Sequence, residues 1–441
     1  MDLFLITALS IVVILGLGTS YLVWLLFHKI QAGLALVMLL FVWETVAVGL
    51  PGIILKLIVY PQDFVFLLMG VAAALRLAVT NEFHAGQKAW LAFGFFLFAS
   101  VFVGLVRFGT SAGVEFREYY YFWSGTAYFM SFSGDIKFFE LARKAWIFAA
   151  LVCVATACFR WTADALGLEM SLAWAAVGAR TQFRVLNAAQ TLMLGQALLM
   201  LIYSYAVGRL RKQEGILIPI FLGVVLVLQH RSVWISVFAS VLVMILFDRS
   251  ARTRLIGGLG MLVVPLAGIL LTFMIMGGSN EAVTSVASSA AEIGASHGSF
   301  IWRINSWEEL LREWLFSGPV QYLFGQPFGS GFIRFIEGVE GATVEAPHNY
   351  YVQTLLRVGL TGMFALLLSY WIVVSDLLRN VADTKHEAWG YVLPLLLFSQ
   401  LVYFIPYSAN YSQCVLLGLA LASVKAKVVT PNLTPRVASR T

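Results

Sequence analysis

Of the 441 residues, 60% are hydrophobic and 12% are charged, with a mean hydropathy of +0.85 and a formal net charge of +6. A soluble domain carries about 25% charged residues, so this is read as an all-α polytopic membrane protein; a soluble enzyme, a disordered chain and a disulfide scaffold are excluded. The positive charge is scattered among short loops and forms no single basic patch, which argues against a nucleic-acid partner.

Apolar runs able to cross about 30 Å of hydrocarbon fall near 3–27, 31–50, 62–79, 88–106, 117–133, 145–160, 190–208, 216–229, 232–247, 255–276, 351–377, 389–405 and 411–424. They make about thirteen candidate transmembrane helices, twelve to fourteen in all, forming one transmembrane domain over 1–441. The first run lacks a basic n-region and an Ala-x-Ala site, so it is expected to stay as a membrane segment. Residues 51–61, between two prolines, read as interfacial or re-entrant. The aromatic string Tyr119-Tyr120-Tyr121-Phe122-Trp123 reads as an interfacial belt, or as a stacking surface for sugars. Cys153, Cys158 and Cys414 lie in apolar stretches and read as small buried hydrophobes.

Lysine and arginine clusters sit in the loops 80–88, 134–144, 209–215, 248–254 and 378–388 and in the tail 425–441, which are therefore expected to face the cytoplasm. The opposite side holds Lys56 and ten arginines. A guanidinium keeps its charge and offers a planar fork that fits carboxylate or phosphate oxygens. Two loops are expected on that outer, periplasmic side: a smaller one at 161–189 and a large one at 277–350. Within the second, Ile304, Trp307, Leu310, Leu311, Trp314 and Leu315 recur with a helical period, which predicts an amphipathic helix lying on the membrane.

The outer loops carry His230, His297 and His348, with no dense Asp/Glu/His cluster at metal-ligand spacing, so neither a metal nor another cofactor is expected. His297 reads as a solvated loop residue. His348 is predicted at the mouth of a helix, on one stripe with Val352, Leu355 and Gly359, beside a second stripe of Asn349, Gln353 and Arg357. It fits a general base, or equally a capping or core histidine. Arg231, at a tight turn beside the membrane, either snorkels or meets an anion. Arg303, Arg180 and Arg184 either pair with glutamates of their own loops or bind a ligand. Together they suit an anionic, diphosphate-bearing ligand.

Three segments in this order resemble the O-antigen ligase and polymerase superfamily of bacterial inner-membrane glycosyltransferases. They are HRSVWISVFASVLVMILF from His230, FIWRINSWEELLREW from Phe300 with the later YLFGQPFGSGF, and PHNYYVQTLLRVGLTGM from Pro347. The likeness runs over about 180 to 390, and a looser one covers Arg184 and Asn187. It implies about twelve helices with a large periplasmic loop over an outward-facing cavity. It also implies an undecaprenyl-diphosphate-linked glycan donor, with a saccharide or lipid A-core acceptor, among membrane lipids. Carried over residue by residue, His348 is the general base, Arg231 and Arg303 hold the leaving diphosphate, and Arg184 is a third clamp. Asn349, Arg180 and Arg357 take supporting places, and Glu337, Glu340 and Glu345 either orient His348 or are solvated. The competing reading is a lipid-linked oligosaccharide flippase, for which Glu44 is the clearest ionisable group within a span.

Overall fold

The computed structural model describes residues 3–47, 52–54, 58–80, 83–132, 136–168, 184–247, 252–255, 257, 299–335, 342–381 and 389–425. Arg180, His297, Glu337 and Glu340 lie outside them, as do nearly all of the 255–276 run and the loop residues 277–298.

The described chain is almost entirely helical. The helices are α1 (Leu3–His28), α2 (Ile30–Ala47), α3 (Pro61–Val79), α4 (Ala85–Phe108), α5 (Thr110–Met130), α6 (Ile136–Ala165) and α7 (Ala188–Ala206). They continue as α8 (Leu217–Val227), α9 (Arg231–Phe247), α10 (Ser299–Phe316), α11 (Pro319–Phe324), α12 (Tyr350–Val381), α13 (Trp389–Tyr403) and α14 (Cys414–Lys425). Residues 51–61 contain a two-stranded hairpin, Ile53–Ile54 against Ile58–Val59, before Pro61 opens α3.

The starts of these helices follow from local chemistry. Pro61 occupies the first turn of α3, where a missing N–H costs nothing, and Asp63 accepts from the Tyr60 amide at 2.7 Å. Asn187 and Gln190 form a reciprocal capping box at α7, each side chain accepting from the other's amide. Several helices outrun their apolar stretches, because polar residues inside them find partners. The segment expected at 145–160 is a helix from Ile136 to Ala165 in which Arg160 donates to the carbonyls of Val185 and Thr45, both at 2.6 Å.

Five helices among the described residues are long and apolar enough to cross a membrane: α2, α3, α4, the Lys137–Ala165 part of α6 and the Tyr350–Arg379 part of α12. The chain is therefore a multi-pass membrane protein. α7 runs through its interior, with every residue from Gln190 to Tyr203 buried. It packs against α6, α8, α9 and α13. Inside, Gln196, Gln413, Ser399 and the Trp146 indole share one hydrogen-bond network, which satisfies polar groups that would otherwise be costly to bury.

Three members of the tyrosine string serve as neither belt nor sugar platform, while Tyr120 and Trp123 are half-buried. Tyr119, Tyr121 and Phe122 are buried, with Tyr119 stacked on Tyr350 at 5.4 Å and Phe122 against Phe404. α5 is enclosed by α3, α4 and α14, so its aromatic face has no lipid to meet. Gly125 against Cys414 and Gly418 against Phe129 leave no room for a side chain, which brings α5 and α14 close together. Cys153 and Cys414 are buried as expected, whereas Cys158 is exposed.

The bundle has two distinguishable ends. Val233 and Val237 of α9 meet Gly195 of α7, and Ser240 donates to Leu395 of α13. Ser399, one turn later on α13, lies beside Gln196 of α7. α9 and α13 are thus antiparallel, so the start of α9 and the exit of α13 fall at one end. That end gathers the candidate site.

Candidate active site

His348 is not on the helix. Its backbone is left-handed, at φ 49°, and α12 begins two residues later. Asn349 caps that helix, its Oδ1 accepting from the amides of Tyr351 and Val352, both at 3.0 Å. The Tyr350 amide donates to the carbonyl of Phe404 at 3.0 Å, and the Trp307 indole donates to the carbonyl of Pro347 at 2.6 Å. The histidine is held on both sides by buried neighbours while its own side chain is exposed.

The expected stripe also ends early. Gly359 breaks α12 with φ 63° and ψ −166°, a conformation open only to glycine, and it lies against the backbone of Leu323 and Phe324. A periodic sequence gives no sign of such a break.

Arg303 sits on α10, as the amphipathic period predicts. It donates to the carbonyl of Pro406 at 2.8 Å and lies over the Tyr407 ring, 5.3 Å from its centre. Arg312, by contrast, is spent on Glu308 and Glu309 of its own helix. α10 rests on protein along the face that was expected to lie on the membrane: Leu310 and Trp314 are buried with Phe332, Val352 and Leu356, because α12 supplies an apolar groove for them. Ile304 and Leu315, placed on the same stripe from the sequence, are exposed.

Arg334, which the sequence reading left unassigned, ties these pieces together. Buried, it donates through Nε to Ser306 of α10 at 2.5 Å, and through Nη1 to the carbonyls of Phe332 at 2.8 Å and Glu345 at 2.7 Å. Its backbone pairs with that of Thr343. Ser306 is one turn beyond Arg303, so this guanidinium fixes the strand leading to His348 against the helix that carries Arg303. The His348 pKa is lowered, first by loss of water around the ring and then by Arg303; Glu345 opposes the shift and Arg334 adds to it. The imidazole is therefore neutral at pH 7 and able to accept a proton.

The second group is the turn before α9. Gln229 has φ 55°, and His230 contacts the Leu186 carbonyl through Nε2 at 2.8 Å. Burial pushes the His230 pKa down to about 4, so it is a neutral structural pin that donates to that carbonyl. Arg184 donates to the Gln229 carbonyl at 3.3 Å, and Arg231 opens α9, half-buried. Gln229 and His348 are the two non-glycine residues with positive φ among the described residues. Strained backbone of this kind gathers at functional sites.

Residues 216–367, about a third of the chain, match the family described as O-antigen ligase. That segment is similar to the family, which supports a likeness to the O-antigen ligase and polymerase superfamily. The matched stretch contains Arg231, Arg303 and His348. No curated protein matches the chain.

The superfamily resemblance also rests on Gly329-Ser330-Gly331-Phe332, and the structure gives that motif a mechanical role. Arg357, fully buried, forms an ion pair through Nε with Glu115 of α5, donates to Ser330 Oγ at 2.8 Å and to the Gly331 carbonyl at 2.6 Å, and lies over the Phe332 ring. The Gly329 amide donates to the other Glu115 oxygen at 2.8 Å. Gly329, at φ 89°, touches the Ala112 backbone, so no larger residue fits. Arg357 thus clasps α12, α5 and this loop together.

Two carboxylates also reach this end. Glu44, in the last turn of α2 and so not at mid-span, accepts from the Tyr411 hydroxyl at 2.7 Å, and Glu118 of α5 lies within electrostatic reach of it. Among the described residues, no three of His, Cys, Asp and Glu are grouped as metal ligands.

Proposed function

We propose that the protein is a metal-independent inverting glycosyltransferase of the bacterial inner membrane. It moves a glycan from undecaprenyl diphosphate to an acceptor hydroxyl on the periplasmic face, as an O-antigen ligase or a repeat-unit polymerase. The observation that carries this reading is His348: a neutral, exposed imidazole held in left-handed backbone beside Arg303.

In this mechanism His348 takes the proton of the acceptor hydroxyl while the acceptor oxygen attacks the anomeric carbon. The bond from that carbon to the diphosphate oxygen breaks, and the configuration inverts. Negative charge grows on the leaving diphosphate, and fixed guanidiniums aimed at it stabilise the transition state more than the ground state. Arg231 and Arg303 take that role, with Arg184 as a third clamp. Arg180 retains a supporting place by resemblance, Asn349 acts by capping α12, and Arg357 acts by holding the scaffold.

The test is transfer by the purified full-length protein in detergent, with an undecaprenyl-diphosphate glycan as donor and EDTA present throughout. Glycan appearing on a lipid A-core acceptor identifies a ligase; lengthened lipid-linked glycan identifies a polymerase. Absence of both products, with movement of the donor across a vesicle bilayer, overturns the transferase in favour of a flippase. The observation favouring that second reading is the Glu44, Tyr411 and Glu118 group. Ionisable groups inside membrane segments mark transport pathways as well as catalytic sites.

A further inference from the structure

At the other end of the bundle a cavity of about 210 Å³ is lined by Glu140, Arg143, Met200, Ser204, Arg209, Arg211 and Val392. Ser204 lies seventeen residues beyond Asn187 on α7, so the cavity is about 26 Å from the capping box at the site end. That is close to the thickness of the hydrocarbon layer and places the cavity at the depth of lipid headgroups on the far side.

Met200 and Val392 form an apolar side, and the other side carries Arg143, Arg209 and Arg211 together with Ser204 and one lining carboxylate, Glu140, so that with Glu214 behind Arg143 the wall keeps a modest net positive charge. Arg143 is buried and held by Glu214 at 2.5 Å, which fixes its guanidinium at the cavity wall. Arg209 and Arg211 follow the end of α7, where Gly208 at φ 73° closes the helix and the Arg209 amide donates back to the Ser204 carbonyl at 2.8 Å. The guanidinium of Arg254 is packed against Gly208. Cations after a helix C-terminus complement its dipole, which accounts for Arg209 and Arg211 singly. It does not account for their meeting Arg143, from a different helix, around a cavity.

We propose that this cavity binds a phosphate group, carried by the headgroup of an anionic membrane lipid. Guanidinium forks fit phosphate oxygens in pairs, the apolar wall suits the glycerol and upper acyl region, and basic pockets between membrane helices take such headgroups. The site is independent of the transfer chemistry at His348.

The experiment uses the full-length protein in nanodiscs of phosphatidylcholine, with and without phosphatidylglycerol, and native mass spectrometry to count retained phosphatidylglycerol. The wild type is expected to retain it at least tenfold better than the Arg209→Gln/Arg211→Gln double variant, both positions being exposed and so compatible with folding. Arg143→Gln/Glu214→Gln, which removes a buried pair without leaving a lone charge, is expected to show the same loss. Arg312→Gln, at the other end, is expected to retain lipid like the wild type. In a parallel arm, inorganic phosphate is titrated into phosphatidylcholine nanodiscs and thermal stability is followed. Stabilisation by phosphate alone, with no retention of phosphatidylglycerol, reassigns the cavity to a free phosphate and overturns the lipid. Equal retention by wild type and both double variants, with no phosphate effect, overturns the site.

Discussion

Arg357 and Arg303 are both arginines of the matched segment, and they do opposite things. Arg357 is fully buried, and its guanidinium is shared between Glu115, Ser330, Gly331 and the face of Phe332. Arg303 is half-buried, gives one nitrogen to a carbonyl at its edge, and meets no carboxylate among the described residues. A guanidinium with all three nitrogens engaged, as in Arg357, holds the fold, whereas one beside an exposed histidine with nitrogens to spare retains donors for a ligand. Charge and sequence spacing are the same kind of signal in both cases. Partners separate them.

The largest effect is therefore expected from the clasp. Arg357→Met leaves Glu115 without its partner, and breaking a buried pair costs about 3–5 kcal/mol. Loss of the monodisperse peak in size-exclusion chromatography, or a large fall in the thermal midpoint, is the expected result. A stable Arg357→Met protein with normal activity would break the contrast.

His348→Ala is expected to fold normally, bind donor, and lose about 10²–10⁴-fold in transfer rate, the usual contribution of a positioned base. Next come Arg303→Lys and Arg231→Lys, for which losses of about 10²-fold are expected in single-turnover assays, since a point charge cannot reproduce a two-pronged donor. Wild-type rates would remove the diphosphate role from either residue.

The smallest effect concerns pH. The lowered pKa of His348 keeps the imidazole neutral as pH falls through 6.5, so transfer is expected to decline only below the ordinary histidine value. Glu345 pulls that pKa upward, and Glu345→Gln is expected to move the acid limb further down while leaving the plateau rate nearly unchanged. An acid limb that moves upward in Glu345→Gln would contradict the electrostatic account.

Much of this was legible in the amino-acid order. The α10 period and the apolar run that forms α7 came from spacing, and Arg231, Arg303 and His348 were singled out by spacing and resemblance as candidates. Three things were hidden because they depend on contacts far apart in the chain. Arg334 reads as one more loop arginine until Ser306 and Glu345 are beside it. The tyrosines of α5 read as an aromatic belt because the sequence does not show that α3, α4 and α14 enclose them. The break at Gly359 is invisible because LLRVGLTG satisfies a helical period, and only the approach of Leu323 demands a glycine there.

The most direct test pairs donor binding with transfer in one preparation: wild type and His348→Ala, each with an undecaprenyl-diphosphate glycan and an acceptor. The account predicts unchanged donor affinity and a transfer rate at least 10²-fold lower in the variant. Equal transfer rates, or loss of donor binding together with activity, would contradict the assignment of His348 as the base.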